Sequence, residues 1–177
     1  RKDFIELMAR FARHLGHGLR ELTLTTNGTL LRKYAGDLSA IGVRRINISL
    51  DTLKPAVFEQ LSRRDMLPVV LDGIDAALEA GLKVKLNTVA LKGVNEAEIP
   101  DLIRYAHERG ADITLIETMP MGEAETDRVE DYLSLQDVRA SLQRNWALTD
   151  LAETTGGPAR YVRVEETGGR LGFITPL

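Results

Sequence analysis

Polar side chains at the ends of several β-rich segments are the residues whose types could do chemistry. They are hydroxyls, amides, carboxylates and one lysine: Thr25, Thr26, Asn27, Ser49, Asp51, Lys85, Asn87, Glu117 and Thr118. Such a set can bind a polar ligand, because it combines hydrogen-bond donors and acceptors with one cation. For any single residue a local role is the better interpretation, with Thr26 and Asn27 forming a turn and Asp51 capping a helix. Three aligned polar faces together favour a ligand cavity.

Lys85 is the single residue with the most specific functional interpretation. A lysine that points inward from the middle of a strand is costly unless a carboxylate or an anionic ligand pairs with it. Its side chain could contact a phosphate or act as a Schiff-base nucleophile. It could equally form a salt bridge to Glu117 or Asp51, and the residues alone leave these alternatives open.

The composition excludes several classes of function. The 177 residues carry a net charge of −3, which provides no field to attract nucleic acid or an anionic membrane. The absence of cysteine excludes disulfides, thiolate metal sites and a cysteine nucleophile within this sequence. No apolar run approaches the roughly 18 residues of a membrane span and no signal peptide opens the chain, so we expect a cytoplasmic protein. The start at Arg1, already inside a helical pattern, indicates a fragment.

A repeating unit of helix, glycine and strand organises the chain. The first amphipathic run extends from Phe4 to Leu15 and the second begins at Leu30; the four runs end at Gly16, Gly42, Gly81 and Gly110. The β-rich segments that follow them are residues 21–27, 45–51, 83–89 and 112–119. Strands that alternate with helices at this spacing predict βα units and a parallel sheet.

The parity of the strands predicts the architecture of that sheet. Ile46, Ile48, Val84 and Leu86 alternate with polar residues, so each strand has one apolar side, which we expect to face helices, and one polar side. A sheet covered by helices on both faces would be apolar throughout. We therefore predict an α/β fold of about four units, an incomplete TIM-like (βα) barrel with a polar, ligand-filled concavity.

The pattern changes after residue 122. We predict a partial barrel over residues 1–122 and an extension over residues 123–177 within the same domain. The extension should contain a helix from Leu135 to Leu142 that begins at Ser134, and a β-hairpin formed by residues 161–165 and 171–174.

Six motifs in this order resemble one enzyme family over essentially the whole chain. The motifs are residues 24–28, 44–51, 84–87, 92–95, 116–120 and 172–176. They are similar to the GTP 3′,8-cyclase (MoaA) family of radical S-adenosylmethionine enzymes, of which this sequence would be a central part. The resemblance implies that S-adenosylmethionine and GTP share the cavity. Ser49, Met119 and Asn27 would contact S-adenosylmethionine, while Thr25 and Lys85 would contact GTP.

The resemblance also implies chemistry and partners. In the family a reduced 4Fe–4S cluster cleaves S-adenosylmethionine, and the resulting radical takes the ribose 3′ hydrogen of GTP before ring closure onto C8. Two 4Fe–4S clusters, a homodimer and a downstream enzyme that makes cyclic pyranopterin monophosphate would accompany this activity in molybdenum cofactor biosynthesis. The cluster cysteines are absent from this sequence, so we expect it to be inactive by itself. Many members carry an arginine where Thr114 stands.

Two further functions are compatible with the residues. A Schiff-base aldolase could use Lys85 as its nucleophile, and trapping with borohydride would reveal it. A non-catalytic fragment could bind nucleotides only, which calorimetry with GTP and S-adenosylmethionine would test.

Overall fold

The computed structural model describes residues 3–118, 132–152 and 157–176. The helices are α1 (Phe4–Ala12), α2 (Leu31–Ala40), α3 (Pro55–Ser62), α4 (Leu67–Glu79), α5 (Ile99–Glu108) and α6 (Leu135–Leu142). The strands are β1 (Thr23–Thr26), β2 (Arg45–Ser49), β3 (Lys83–Ala90), β4 (Asp112–Glu117), β5 (Leu148–Leu151), β6 (Arg160–Val164) and β7 (Arg170–Ile174). The strands are hydrogen-bonded in the order β1-β2-β3-β4-β7-β6-β5. The predicted α/β class is therefore confirmed.

The chain divides into two compact units. The first comprises Arg1–Ser49 and Met66–Lys85, and the second comprises Leu50–Asp65 and Leu86–Leu177. Strand β3 begins in the first unit and ends in the second.

The first unit buries one side of its strands and leaves the other side polar. β1 and β2 are parallel, with Leu24 beside Ile46 and Thr25 beside Asn47. The apolar side packs with helices α2 and α4, and its buried side chains include Leu31, Leu38, Ile46, Ile48, Val70, Ile74 and Val84. Alternation along the strand thus predicted the buried face correctly, because successive side chains of a strand point to opposite sides.

Two helix limits differ from the predicted ones. α1 ends at Ala12, and Leu15 lies beyond it, where it forms a bridge with Leu19 as the chain turns back. α2 begins at Leu31, so Leu30 stands before the helix with non-helical backbone angles and is 62% exposed. In both cases one apolar residue at the end of the run lies in a turn outside the helix. The spacing of apolar residues does not predict where such a turn begins.

The second unit extends its sheet with antiparallel strands. β7 pairs with β4 in parallel, while β6 pairs antiparallel with both β7 and β5. The predicted C-terminal hairpin is therefore present as β6 and β7, and the predicted helix is present as α6. Ser134 caps the N-terminus of α6, and its hydroxyl accepts a hydrogen bond of 3.2 Å from the Gln136 N–H. β5 and α3 were not predicted.

Strand β4 lacks the alternation of the other strands because both of its sides are covered. Ile113 and Leu115 are buried on one side, and Thr114 on the other side is also fully buried. Thr114 lies beside Gly172 of β7, where a Cβ atom would be 2.8 Å from the Thr114 hydroxyl and 2.9 Å from the Tyr161 ring. Tyr161 packs over the glycine, so the hairpin buries the side of β4 that would otherwise be polar.

His107 fastens the hairpin turn to helix α5. Its Nδ1 lies 2.6 Å from the Thr167 hydroxyl and its Nε2 lies 3.1 Å from the carbonyl oxygen of Arg170. A carbonyl only accepts, so Nε2 carries the proton and Nδ1 of the neutral ring accepts from Thr167. The ring lies directly against Gly169, where a Cβ atom would be 2.3 Å from it. The turn is therefore held by a neutral histidine.

Acidification should weaken this attachment. Burial lowers the pKa of His107 below its ordinary value of about 6.5, and the Arg170 carbonyl and the Asp112 carboxylate oppose that shift. The folded state then binds fewer protons than the unfolded state. The stabilisation linked to His107 is fully present above its pKa in the unfolded state. It is lost as the pH falls from that value towards the lower pKa of His107 in the folded state. Chemical denaturation between pH 7.5 and 5 should show this loss, and His107→Gln should flatten the dependence. An unchanged dependence in the variant would contradict the assignment.

Candidate functional site

On the polar side of the first unit, the predicted contact residue Thr25 lies beside Asn47, which was predicted to be polar but not to contact a ligand. Thr25 and Asn47 are neighbours in the register of β1 and β2, and the Asn47 amide donates to the Thr25 hydroxyl over 3.4 Å. The Asn47 Oδ1 atom is buried and accepts no hydrogen bond. A buried acceptor without a donor is costly, so this side of the unit suits a ligand that donates hydrogen bonds.

Lys85 is the partly buried lysine on this side of β3, where Lys83 is exposed. Arg45, which points to the same side of β2, is paired with Glu21 at 2.8 Å. Within the residues that the structure describes, Lys85 forms neither an ion pair nor a hydrogen bond. Its partly buried side chain is therefore available for an anionic ligand.

The two carboxylates considered as partners of Lys85 accept other hydrogen bonds. Glu117 accepts from the Tyr132 hydroxyl at 2.9 Å and from the Leu135 N–H at 2.8 Å, so both of its oxygens are used. Asp51 accepts from the Val89 N–H at 2.8 Å.

The loop after β1 is a turn, as the local interpretation predicted. The Asn27 side-chain oxygen accepts from the Thr29 N–H at 3.2 Å and from its hydroxyl at 2.9 Å. The Thr26 hydroxyl accepts from the Gly28 N–H at 3.2 Å. Asn27 therefore keeps only its amide N–H groups for a ligand. Thr25 and Ser49 stand exposed near the carboxyl ends of their strands.

Asp51 does not cap a helix, contrary to the local interpretation. Its carboxylate bonds to the backbone of β3, and α3 begins after a turn in which the Thr52 hydroxyl accepts from the Lys54 N–H at 3.0 Å. Burial raises the pKa of Asp51 above its ordinary value, while the bond from Val89 opposes the rise.

The second unit holds further polar atoms without partners. The side-chain oxygens of Asn87, Thr114 and Thr118 are buried and have no hydrogen-bond partner. Thr114 is covered by the hairpin. Met119 lies outside the described residues.

Sequence reasoning missed two features of the site. Asn47 was recognised as polar but not as a buried acceptor, because its partner is decided by the neighbouring strand. The buried side chains of Thr52, Thr88, Asn95 and Glu98 form a network that was not predicted at all. The only signal for it was the motif at residues 92–95, which includes Asn95.

These residues do not suit an iron–sulfur cluster. The sequence contains no cysteine, and the described residues include no group of three or more histidine, aspartate or glutamate side chains that could hold a metal ion. None of the helices in the described parts is long and apolar enough to cross a membrane.

Comparisons with known proteins identify similar sequences over the whole chain. The radical SAM superfamily model matches residues 1–106, and the model named Molybdenum Cofactor Synthesis C matches residues 111–177. A protein of Caulobacter vibrioides named GTP 3′,8-cyclase is 63% identical over 178 residues, with 100% of this chain and 51% of that protein covered. Proteins of the same name from Erythrobacter litoralis and Rhizobium etli are 60% and 58% identical over 177 residues, covering 100% of this chain and 53% and 51% of theirs. The chain thus spans about half the length of the curated relatives it matches.

Proposed function

The chain belongs to the radical SAM superfamily, and from this membership we propose that it supplies ligand-binding residues of a GTP 3′,8-cyclase in molybdenum cofactor biosynthesis. Support comes from the name shared by its relatives and from the second matching domain model. The superfamily match favours this function over a Schiff-base aldolase.

Each contact in the proposal is taken from the family resemblance and suits the chemistry of its side chain. Lys85 and Thr25 hold GTP, since a free ammonium suits a phosphate or a guanine acceptor and a hydroxyl suits a polar edge. Ser49, Asn27 and Met119 hold S-adenosylmethionine through a hydroxyl, an amide and a thioether. S-adenosylmethionine, when bound, supplies the radical that removes a hydrogen atom from the ribose. This chain holds the nucleotide still and excludes water from it.

One observation carries the proposal most directly. The polar side of the first unit combines an ammonium without an ion pair with a buried acceptor without a donor, at Lys85 and Asn47. A folded protein normally satisfies a buried acceptor. A nucleotide offers both complements, an anion for Lys85 and N–H or O–H donors for Asn47.

The remaining parts of the proposal concern the whole protein. Residues 1–122 belong to the barrel and residues 123–177 extend it. Two 4Fe–4S clusters have their cysteine ligands outside this sequence, because it contains no cysteine. The protein forms a homodimer, and its cyclised nucleotide passes to an enzyme that makes cyclic pyranopterin monophosphate.

Turnover tests the proposed function. The protein carrying this chain, incubated anaerobically with S-adenosylmethionine and a reductant, should form 5′-deoxyadenosine and a cyclised nucleotide when GTP is added. ATP serves as the control nucleotide and should give neither product above background. Formation of 5′-deoxyadenosine that is independent of GTP would contradict the proposal. GTP binding without turnover in the cluster-loaded protein would support the non-catalytic alternative.

A further inference from the structure

Four buried polar side chains form a network around the residues that directly follow β2. These are Thr52, Thr88, Asn95 and Glu98, all within the second unit and each no more than 3% exposed. We refer to them as the Asn95 network. It includes the end of the motif at residues 92–95, to which the proposed function assigns no role.

Asn95 uses all of its amide groups on the backbone. Its Oδ1 accepts from the Leu91 N–H at 2.8 Å, and its Nδ2 donates to the carbonyl oxygens of Asp51 at 2.7 Å and Val89 at 2.8 Å. The orientation of the amide is therefore unique, because a flipped amide would face two carbonyls with an acceptor. One side chain thus joins the end of β3 to the segment after β2.

Thr88 and Glu98 bind the segment after β2 at residues that precede and follow Asp51. The Thr88 hydroxyl donates to the Leu50 carbonyl at 2.7 Å. The Glu98 carboxylate accepts from the Thr52 hydroxyl at 2.6 Å and from the Leu53 N–H at 2.7 Å. No cation of the described residues pairs with Glu98. Burial of an unpaired carboxylate is costly, and here hydrogen bonds alone offset the cost.

Two further hydrogen bonds complete the attachment, one between two backbone groups and one from the backbone to a side chain. The Leu50 N–H donates to the Asn87 carbonyl at 3.0 Å, and the Asp51 carboxylate accepts from the Val89 N–H at 2.8 Å. Four of the eight backbone N–H and C=O groups of residues 50–53 are therefore bonded to β3 or to the Asn95 network.

The network lies next to the proposed ligand contacts along the chain. Ser49 directly precedes the held segment, and Lys85 precedes Asn87 by two positions on the same side of β3. We propose that Asn95, with Thr88 and Glu98, is a positioning residue that fixes the ends of β2 and β3 so that Ser49 and Lys85 hold their ligands in the reactive geometry. The inference rests on the proposed function and adds to it the residues that position two of its ligand contacts.

The isosteric Asn95→Asp substitution tests this role. The new carboxylate keeps the acceptor for Leu91 but places an oxygen against the Asp51 and Val89 carbonyls, so the two strand ends should separate. Misplacement of reacting groups by about 1 Å costs roughly a hundredfold in rate. Turnover at saturating GTP and S-adenosylmethionine should therefore fall about tenfold to a hundredfold, with a smaller change in KM.

A matched control separates positioning from general loss of stability. His107→Ala removes two hydrogen bonds from the same unit, but at the hairpin turn. Turnover of this variant, measured below its thermal midpoint, should stay within about twofold of the unmodified protein. If Asn95→Asp retains as much turnover as His107→Ala, the positioning role is refuted.

Substitutions of Thr88 keep the test decisive if Asn95→Asp does not fold. Thr88→Val preserves the shape of the buried side chain and removes only the bond to Leu50, so turnover should fall about threefold to tenfold. Thr88→Ser restores the hydroxyl and should recover most of the rate. Equal turnover in the two variants would overturn the inference. Failure of the unmodified protein to turn over GTP would instead refute the proposed function, so the two failures are distinguishable.

Discussion

Replacement of Lys85 by alanine should weaken GTP binding by about tenfold to a hundredfold. The ammonium has no ion pair among the described residues, so its removal breaks no bond to any of them. Loss of a hydrogen bond to a charged group costs about 1.5–3 kcal/mol, which corresponds to that range of affinity. Calorimetric titration of the protein carrying this chain would measure the change. Binding of S-adenosylmethionine should be nearly unaffected.

Two substitutions sharpen the test of Lys85. Lys85→Arg should recover only part of the loss, because a planar guanidinium does not replace a compact ammonium. Lys83→Ala is the matched control, since it removes an exposed lysine from the same side of the same strand two positions earlier. Its GTP affinity should match that of the unmodified protein. Normal GTP binding by Lys85→Ala, together with a lower thermal midpoint, would refute the ligand role and indicate a structural one.

Gly73→Ala should destabilise the first unit, although alanine normally stabilises a helix relative to glycine. A Cβ atom at position 73 would lie 2.3 Å from the carbonyl oxygen of Gly28, which is backbone and cannot rotate away. The same carbonyl accepts from the Leu31 N–H at 3.1 Å in the first turn of α2. Overpacking of this kind costs about 1–3 kcal/mol. The free energy of unfolding from denaturant titration should decrease accordingly.

Gly36→Ala provides the matched control for Gly73→Ala. Gly36 lies inside helix α2, and a Cβ atom there would meet nothing within 4 Å. Without a clash, alanine should stabilise the protein by about 0.5–1 kcal/mol. Opposite signs for the two variants are expected, whereas stabilisation by both would show that α4 does not press on Gly28. Because Gly28 follows Asn27, Gly73→Ala should also weaken S-adenosylmethionine binding.

The main strands and helices were predictable because their signals are local. Helical spacing and strand alternation depend on residues a few positions apart, and they predicted β1 to β4, α6 and the buried residues Ile46, Ile48, Val84 and Leu86. Helix α3 was missed because it buries none of its residues fully, so its apolar pattern is weak. Strand β5 is only four residues long, and it is paired through β6, a partner that alternation does not identify.

The sequence by itself determined which side chains share the polar side of the sheet, because parity along a strand is a property of the backbone. Only the tertiary structure decided which of them are already satisfied. Glu117 accepts hydrogen bonds from Tyr132 and Leu135, and Asp51 accepts one from Val89. Lys85, by contrast, has no ion pair among the described residues. Glu98 meets Leu53 across 45 positions of the chain. Pairings over such separations depend on how elements pack, and no local spacing of residue types contains that information.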